Sequence, residues 1–99
     1  MKVHFVQSGG FVGVVKGCVL DTAVLDQDEA QELQRLVKAS GIASSGVYFS
    51  AQARDVQQYE ITIEDESPVS VAFDDLSLPS SARLLVGFLK KRARPQGLG

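Results

Sequence analysis

Residues 56–73, VQQYEITIEDESPVSVAF, carry the clearest pattern in the chain. Large apolar residues alternate with polar ones in the first half, and the alternation resumes after the turn-forming residues 65–68, Asp-Glu-Ser-Pro. Two alternating runs joined by a turn are typical of an antiparallel hairpin with one buried face. The predicted buried face carries Tyr59, Ile61, Ile63, Val69, Val71 and Phe73. Because full burial of one such side chain contributes roughly 1.5–3 kcal/mol, other elements must cover this face.

Two amphipathic helices are predicted to cover the hairpin. The first begins at Asp26, which forms a capping-box-like pair with Glu29, and ends at Gly41, which suits a left-handed stop. Its apolar stripe consists of Ala30, Leu33, Leu36 and Val37. The second helix follows Pro79, since proline is tolerated in a first helical turn. Its stripe consists of Ala82, Leu85, Val86 and Leu89, widened by Leu84 and Phe88.

A second hairpin is predicted at the N-terminus. Residues 2–7 and 11–20 have the apolar content of strands, and the dipeptide Gly9-Gly10 suits a two-residue turn between them because glycine accepts a positive φ. In the register that this turn sets, Val3 faces Lys16 and Cys18 faces Met1.

The predicted element order is ββαββα. We expect an α+β fold, a four-stranded antiparallel sheet with two helices packed on one face. The pattern leaves the strand order open, and cystatin-like and ferredoxin-like arrangements are both compatible with it. Residues 42–55 show no periodicity and are predicted as loop, with an apolar run at 47–49.

Length and composition indicate one ordinary globular domain. The chain has 99 residues, of which 44% are hydrophobic and 22% charged, enough for one core over residues 1–95, with 96–99 as a flexible tail. A net charge of −2 argues against a dedicated nucleic-acid binder, and a single cysteine excludes an intrachain disulfide. No apolar run approaches the roughly 20 residues that span a bilayer. The N-terminus lacks a signal-peptide pattern, so we expect a cytoplasmic protein without membrane contact.

Several blocks of the sequence, taken in order, resemble the emfourin family. They are SGGF at 8–11, the link at 21–25 into a Glu-rich helix, QYEITIED at 58–65, FDD at 73–75, and the LLVGFL helix at 84–89 after Leu78-Pro79. The resemblance extends from Lys2 to Pro95. Emfourins are small proteinaceous inhibitors of protealysin and other thermolysin-like zinc metallopeptidases. The resemblance therefore implies that the chain is not an enzyme and that its partner is such a peptidase.

The resemblance also implies how the peptidase is contacted. A cleft of the thermolysin type favours a bulky apolar side chain beside the scissile bond, so an inhibitor should present one on a constrained loop. Residues 8–12 and 44–53 are the two segments that qualify. The predicted contacts are Ser8, Gly9, Gly10, Phe11, Val47, Tyr48 and Phe49. The alternatives are that the apolar members belong to the core, or that an edge strand pairs with the enzyme.

One departure from the family concerns the linker after the first helix. Emfourins often carry an acidic-aromatic and proline-rich segment there, whereas this chain has IASSG at 42–46. If that linker touches the peptidase, the potency or the target of this chain differs from those of its relatives.

Residue types that serve in catalytic and metal sites are present without a suitable arrangement. His4 and Cys18 lie roughly 10 Å apart along the strands in the predicted register, too far for a nucleophilic dyad. One histidine and one cysteine do not supply a zinc ligand set. The acidic pairs at 65–66 and 74–75 are predicted as solvated turn residues rather than as a cation site. We therefore expect no catalytic residue, no metal and no cofactor.

Charge is distributed unevenly along the chain. Between Asp55 and Asp75 every charged residue is acidic, which suggests an acidic docking face or a solvated surface. The C-terminal end carries Lys90, Lys91, Arg92 and Arg94. These cations suit the negative end of a helix dipole better than a nucleic-acid-binding tail. Two other function classes stay open: a non-catalytic interaction domain that has lost inhibition, and a small enzyme, for which no constellation of residues argues.

Overall fold

A computed structural model describes residues 1–9, 15–50 and 56–95 of the chain. Within these residues the strands are β1 (Lys2–Gly9), β2 (Lys16–Asp21), β3 (Gly46–Tyr48), β4 (Gln57–Glu64), β5 (Val69–Asp74) and β6 (Arg94–Pro95). The helices are α1 (Gln27–Ser40) and α2 (Arg83–Arg92), and a 3-10 turn at Ser80–Ala82 leads into α2. The predicted α+β class with two helices is confirmed.

The described strands form one mixed sheet in the order β3-β5-β4-β1-β2-β6. Strands β1, β2, β4 and β5 pair antiparallel in its centre. Strand β3 pairs parallel with β5 at one edge, and β6 pairs antiparallel with β2 at the other. The prediction of a four-stranded antiparallel sheet is therefore wrong. Strands of three and two residues are too short to show the alternation on which that prediction depended.

The hairpin predicted from residues 56–73 is confirmed as β4 and β5. Ile61 faces Val71 and Ile63 faces Val69, so apolar side chains meet across the two strands. Five of the predicted inward side chains are at most 6% exposed, and Val69 is half-buried. Those five are Tyr59, Ile61, Ile63, Val71 and Phe73.

The N-terminal hairpin has a different register from the predicted one. Val3 faces Leu20 rather than Lys16, and Phe5 faces Cys18. Gly9 does not turn the chain but extends β1 and pairs with β4. The observed register matches the apolar residues of β1 with the less polar end of β2, and this match outweighs the turn preference of the Gly9-Gly10 dipeptide. Residues 10–14, which include Gly10, lie outside the described part of the chain.

Both helices cover the apolar face of the sheet. Asp26 caps α1 by accepting the Glu29 backbone N–H at 2.9 Å, and Gly41 ends it at a φ of 74°, as predicted. The residues that the helices bury in the core are Leu33, Leu36, Leu85, Val86 and Leu89. Leu84 does not widen the buried stripe of α2, because its side chain is 71% exposed.

The C-terminal part of the domain is tied to the sheet by β6. Arg94 faces Gly17 and Pro95 faces Lys16. The predicted flexible tail, residues 96–99, lies outside the described residues. Neither α1 nor α2 is long and apolar enough to cross a membrane, and the described residues contain no other helix that is.

Candidate functional site

Both segments predicted to contact a peptidase leave the sheet at the same end. Gly9 is the last residue of β1 and faces Gln57, the first residue of β4. At the same end, Tyr48 closes β3 opposite Phe73, and Asp74 closes β5. We call this end of the sheet, marked by these residues, the rim. Because β5 and β4 separate β3 from β1, and neighbouring strands lie about 4.8 Å apart, the two segments leave the sheet roughly 14 Å apart.

Consecutive apolar side chains stand exposed at the rim. Val47, Tyr48 and Phe49 are 69%, 46% and 44% exposed. Because successive strand residues point to opposite faces, Val47 lies on the face without helices, and Tyr48 on the covered face. The Tyr48 ring stacks on Phe73 with the ring centroids 5.4 Å apart. Leu76, in the turn after β5, adds a side chain that is 59% exposed.

Hydrogen bonds from flanking residues hold β3 at both of its ends. Before the strand, Ser45 Oγ accepts the Ser70 backbone N–H at 3.0 Å. After it, the Ser50 backbone N–H donates to Asp74 Oδ2 at 2.5 Å. Both partners of these anchors belong to β5, so the exposed segment is fixed to a core strand. Residues 46–48, which the sequence predicted as loop, form a constrained edge strand.

Asp74 connects the residues that follow β3 to the turn that follows β5. Its carboxylate also accepts the backbone N–H groups of Leu76 and Ser77, each at 2.8 Å. Burial disfavours the charge, but the donors at Ser50, Ser77 and Leu76 outweigh it and hold the pKa of Asp74 below its ordinary value. The prediction that Asp74 is a solvated turn residue is wrong, because the residue is fully buried. The prediction holds for Asp65, Glu66 and Asp75, which are exposed.

A second hydrogen-bonded pair joins the core to the rim. The Tyr59 hydroxyl donates to Asp75 Oδ1, and the Asp75 backbone N–H donates to the Gln57 carbonyl at 3.1 Å. Burial and the Asp75 carboxylate together raise the pKa of Tyr59. The Tyr59 ring lies 6.2 Å from the Phe5 ring, centroid to centroid. Asp75 is therefore positioned by a side chain that is itself locked in the core.

Gly9 allows β1 to reach the rim. Its φ is 90°, a conformation that side-chain-bearing residues rarely adopt. A Cβ at this position would lie 2.8 Å from the Val56 carbonyl oxygen. The neighbouring Ser8 is half-buried, and Gly9 is exposed. The predicted contacts Gly10 and Phe11 lie outside the described residues.

A cavity of about 260 Å³ lies beside the rim, between the end of α1 and β5. Its walls include Ile42, Tyr48, Phe73 and Pro79. Tyr48 therefore forms part of the wall of a pocket that is open to the solvent. Since Gly46 carries no side chain, the Tyr48 ring is able to fold back over it: a Cβ at Gly46 would lie 2.5 Å from the Tyr48 hydroxyl.

A family model named Emfourin matches residues 5–90, which is most of the chain. The chain belongs to the Emfourin family. The match confirms the resemblance found in the sequence, and family membership suggests inhibition of a metallopeptidase without naming the target. The matched range contains Gly9, β3 and Asp74 and so covers the whole described rim. No curated protein and no solved structure matches the chain.

In this Emfourin chain, His4 and Cys18 lie on opposite faces of the sheet. Cys18 faces Phe5 rather than Met1, on the helix-covered side, where its Sγ donates to the Leu89 carbonyl oxygen at 3.7 Å. Burial raises the pKa of the Cys18 thiol against the lowering effect of the Arg92 charge. The predicted separation of His4 and Cys18 along the strands was based on the wrong register. In the structure the two side chains are kept apart because they lie on opposite faces of the sheet. Among the described residues, no three His, Cys, Asp or Glu side chains are grouped to hold a metal.

His4 lies on the face without helices. Its Nε2 is 3.3 Å from Glu64 Oε1, but the pair lacks hydrogen-bond geometry, and Nε2 has no hydrogen-bond partner in the described part of the chain. This close approach involves no residue of the rim. It gives no indication of a reactive site.

Sequence reasoning missed three residues that shape the rim, Asp74, Asp75 and Leu76. A local signal for Asp74 was present, since an aspartate followed by a serine three positions later favours side-chain capping of a turn. The bond from Ser50 to Asp74 had no such signal, because it joins residues far apart in the chain.

Proposed function

We propose that the chain is a proteinaceous inhibitor of a thermolysin-like zinc metallopeptidase and that its rim occupies the active-site cleft of that enzyme. The observation that carries this proposal is the exposed apolar run of Val47, Tyr48 and Phe49 on an edge strand anchored at both ends. The zinc ion in this account belongs to the partner enzyme, and the inhibitor contributes no reaction of its own.

Pre-organisation is the physical basis of the proposed inhibition. A flexible loop that enters a cleft loses conformational freedom, at about 0.5–1.5 kcal/mol for each immobilised side chain. Segment 46–49 has lost much of that freedom before binding, because Ser45 and Asp74 tie its flanks to β5. The same anchoring opposes movement of the backbone toward a geometry in which it could be cleaved.

The edge position of β3 offers a second mode of contact. It is the outermost strand on its side of the described sheet, and a strand at an edge presents one row of backbone groups outward. An extended segment of the enzyme can pair with such a row, and side chains then determine which partner fits. Val47 would face one wall of the cleft and Tyr48 the other, since their side chains point to opposite faces.

The end of β1 is the second proposed contact. Ser8 and Gly9 lie at the rim, and the chain continues from them into Gly10 and Phe11. A separation of roughly 14 Å between the two exits allows one cleft to be contacted at two points. Leu76 lies in the turn after β5, next to Asp74, and is added to the proposed contact set.

The experiment that tests this function is a titration of peptidase activity. Thermolysin and protealysin, each at fixed concentration, are titrated with the purified chain, and hydrolysis of a peptide substrate is followed. We expect a stoichiometric end point, and a small competitive inhibitor of the same cleft should slow the onset of inhibition. Unchanged hydrolysis with excess chain over several thermolysin-like enzymes would refute the proposal and favour a non-catalytic interaction domain.

A further inference from the structure

A groove separate from the rim lies between the two helices. Its volume is about 400 Å³, and its walls come from the middle of α1 and from most of α2. It shares no lining residue with the cavity beside Tyr48. The proposed inhibition does not use this groove.

Gly87 creates the open space in the groove. It lies inside α2, where glycine is less favourable than alanine by about 1 kcal/mol. Apart from its two chain neighbours and the nearby backbone of α2 itself, a Cβ at Gly87 would meet no atom of the described chain within 4 Å. No close contact in the described structure therefore explains why residue 87 is a glycine. The lack of a side chain at this position leaves room for another molecule to approach the helix.

Cations line this gap on both sides along the helix. Arg83, Gly87 and Lys91 recur at every fourth residue and so lie along one side of α2. With a rise of 1.5 Å per residue, the two cations are roughly 12 Å apart along the axis. Within the described residues, neither Arg83 nor Lys91 forms an ion pair. Arg35, on the α1 side, is held by Glu32 at 2.6 Å.

An apolar strip, exposed at Leu84 and half-buried at Phe88, runs beside the cations. Leu84 is 71% exposed, and Phe88 follows it one turn later. The Arg92 guanidinium lies 3.6 Å from the centroid of the Phe88 ring and covers part of it. The groove therefore combines apolar surface at Leu84 with unpaired positive charge, in a chain whose net charge is −2.

We propose that this groove binds an acidic amphipathic segment of a partner protein. An apolar side chain of that segment would fill the space over Gly87 and contact Leu84, and its carboxylates would pair with Arg83 and Lys91. Charge complementarity selects the acidic partner, and the gap at Gly87 selects one that also carries a bulky apolar group. The inference concerns a second surface and does not depend on the proposed inhibition.

The test uses a fluorescein-labelled peptide with leucines at helical spacing and glutamates between them, followed by fluorescence anisotropy. We expect the full-length chain to bind it in a salt-sensitive manner. Gly87→Met fills the gap and should weaken binding at least about tenfold, equivalent to 1.4 kcal/mol. The double variant Arg83→Glu, Lys91→Glu should do the same. Its charge-matched control is Lys2→Glu, Lys38→Glu, which changes cations outside the groove and should leave binding within about twofold.

The folded state is checked separately, because methionine is a better helix former than glycine and Gly87→Met should melt no lower than the parent chain. Absence of peptide binding by the parent chain, or equal losses in the groove variant and its control, would overturn the proposal. So would self-association in sedimentation that Arg83→Glu, Lys91→Glu abolishes, since the occupant would then be a second copy. Loss of peptidase inhibition in Gly87→Met would place the groove in the enzyme contact and also contradict a separate surface.

Discussion

The buried carboxylate of Asp74 accepts the backbone N–H of Ser50 at 2.5 Å, although 23 residues separate them in the chain. This bond ties the residues that follow β3 to the last residue of β5. Because Asp74 also accepts N–H groups from the turn at 75–77, one side chain fixes two of the segments that form the rim. The shape of the proposed inhibitory surface therefore depends on a residue that contributes no surface itself.

Asp74→Asn is expected to loosen the rim. An amide offers one acceptor oxygen instead of two and turns a donor toward backbone N–H groups, so at least one of the three bonds is lost. We expect a melting temperature several degrees lower and weaker peptidase inhibition. Asp65→Asn is the matched control, because Asp65 is exposed in the turn between β4 and β5, and it should change neither property. Equal effects of the two substitutions would contradict the role given to Asp74.

Stability is expected to fall in acid because of Asp74. Its pKa is lowered in the folded chain from an ordinary value of 3.8, so the unfolded chain binds the proton more readily. The stabilisation is complete above pH 3.8 and is lost as the pH drops through the lower, folded pKa. Urea unfolding measured across this range should show a steeper loss of free energy for the parent chain than for Asp74→Asn. Parallel pH profiles would contradict the assignment.

Tyr59→Phe removes the hydroxyl that holds Asp75. The hydrogen bond contributes about 0.5–1.5 kcal/mol, so the free energy of unfolding should decrease by that amount at neutral pH. Since the pKa of Tyr59 is raised from 10.0, its contribution is complete below that pH and declines as the pH rises further. The difference between the parent chain and Tyr59→Phe in denaturant unfolding should therefore shrink in strongly alkaline solution. A difference that stays constant with pH would show that the phenol is not the stabilising group.

Gly9→Ala and Gly87→Ala are expected to have opposite effects. At Gly9, a methyl group meets the Val56 carbonyl oxygen and the left-handed φ costs roughly 1–2 kcal/mol, so the variant should be less stable. At Gly87, the methyl group meets no atom within 4 Å apart from its two chain neighbours and the nearby backbone of α2, and helix propensity favours alanine by about 1 kcal/mol. Thermal unfolding measures both changes: the melting temperature should fall in Gly9→Ala and rise in Gly87→Ala. A stabilised Gly9→Ala would show that β1 does not reach the rim as described.

The sequence predicted the elements whose side chains repeat with a regular period. The alternation of Tyr59, Ile61 and Ile63 located β4, and the pair Asp26 and Glu29 located the start of α1. The register of β1 with β2 could not be predicted from the Gly9-Gly10 dipeptide, because side-chain matching across the strands and the pairing of Gly9 with β4 outweigh that local turn preference.

The short edge strands could not be predicted for a related reason. Strand β3 has three residues, and its position is determined by β5 and by the anchors at Ser45 and Asp74 rather than by its own pattern. Val47, Tyr48 and Phe49 are exposed, and their contact with a peptidase stays a prediction. The rigidity of this segment is a tertiary property that only the fold reveals.

The most direct test of the central claim compares two valines. Val47 is 69% exposed at the rim, and Val24 is 82% exposed in the turn after β2, at the opposite end of the sheet. The measurement is the inhibition constant of Val47→Asp and of Val24→Asp against the same thermolysin-like peptidase, after both have been shown to fold. We predict that Val47→Asp weakens inhibition at least about tenfold, or 1.4 kcal/mol, while Val24→Asp matches the parent chain within about twofold. Full inhibition by Val47→Asp, or an equal loss in Val24→Asp, would contradict the account.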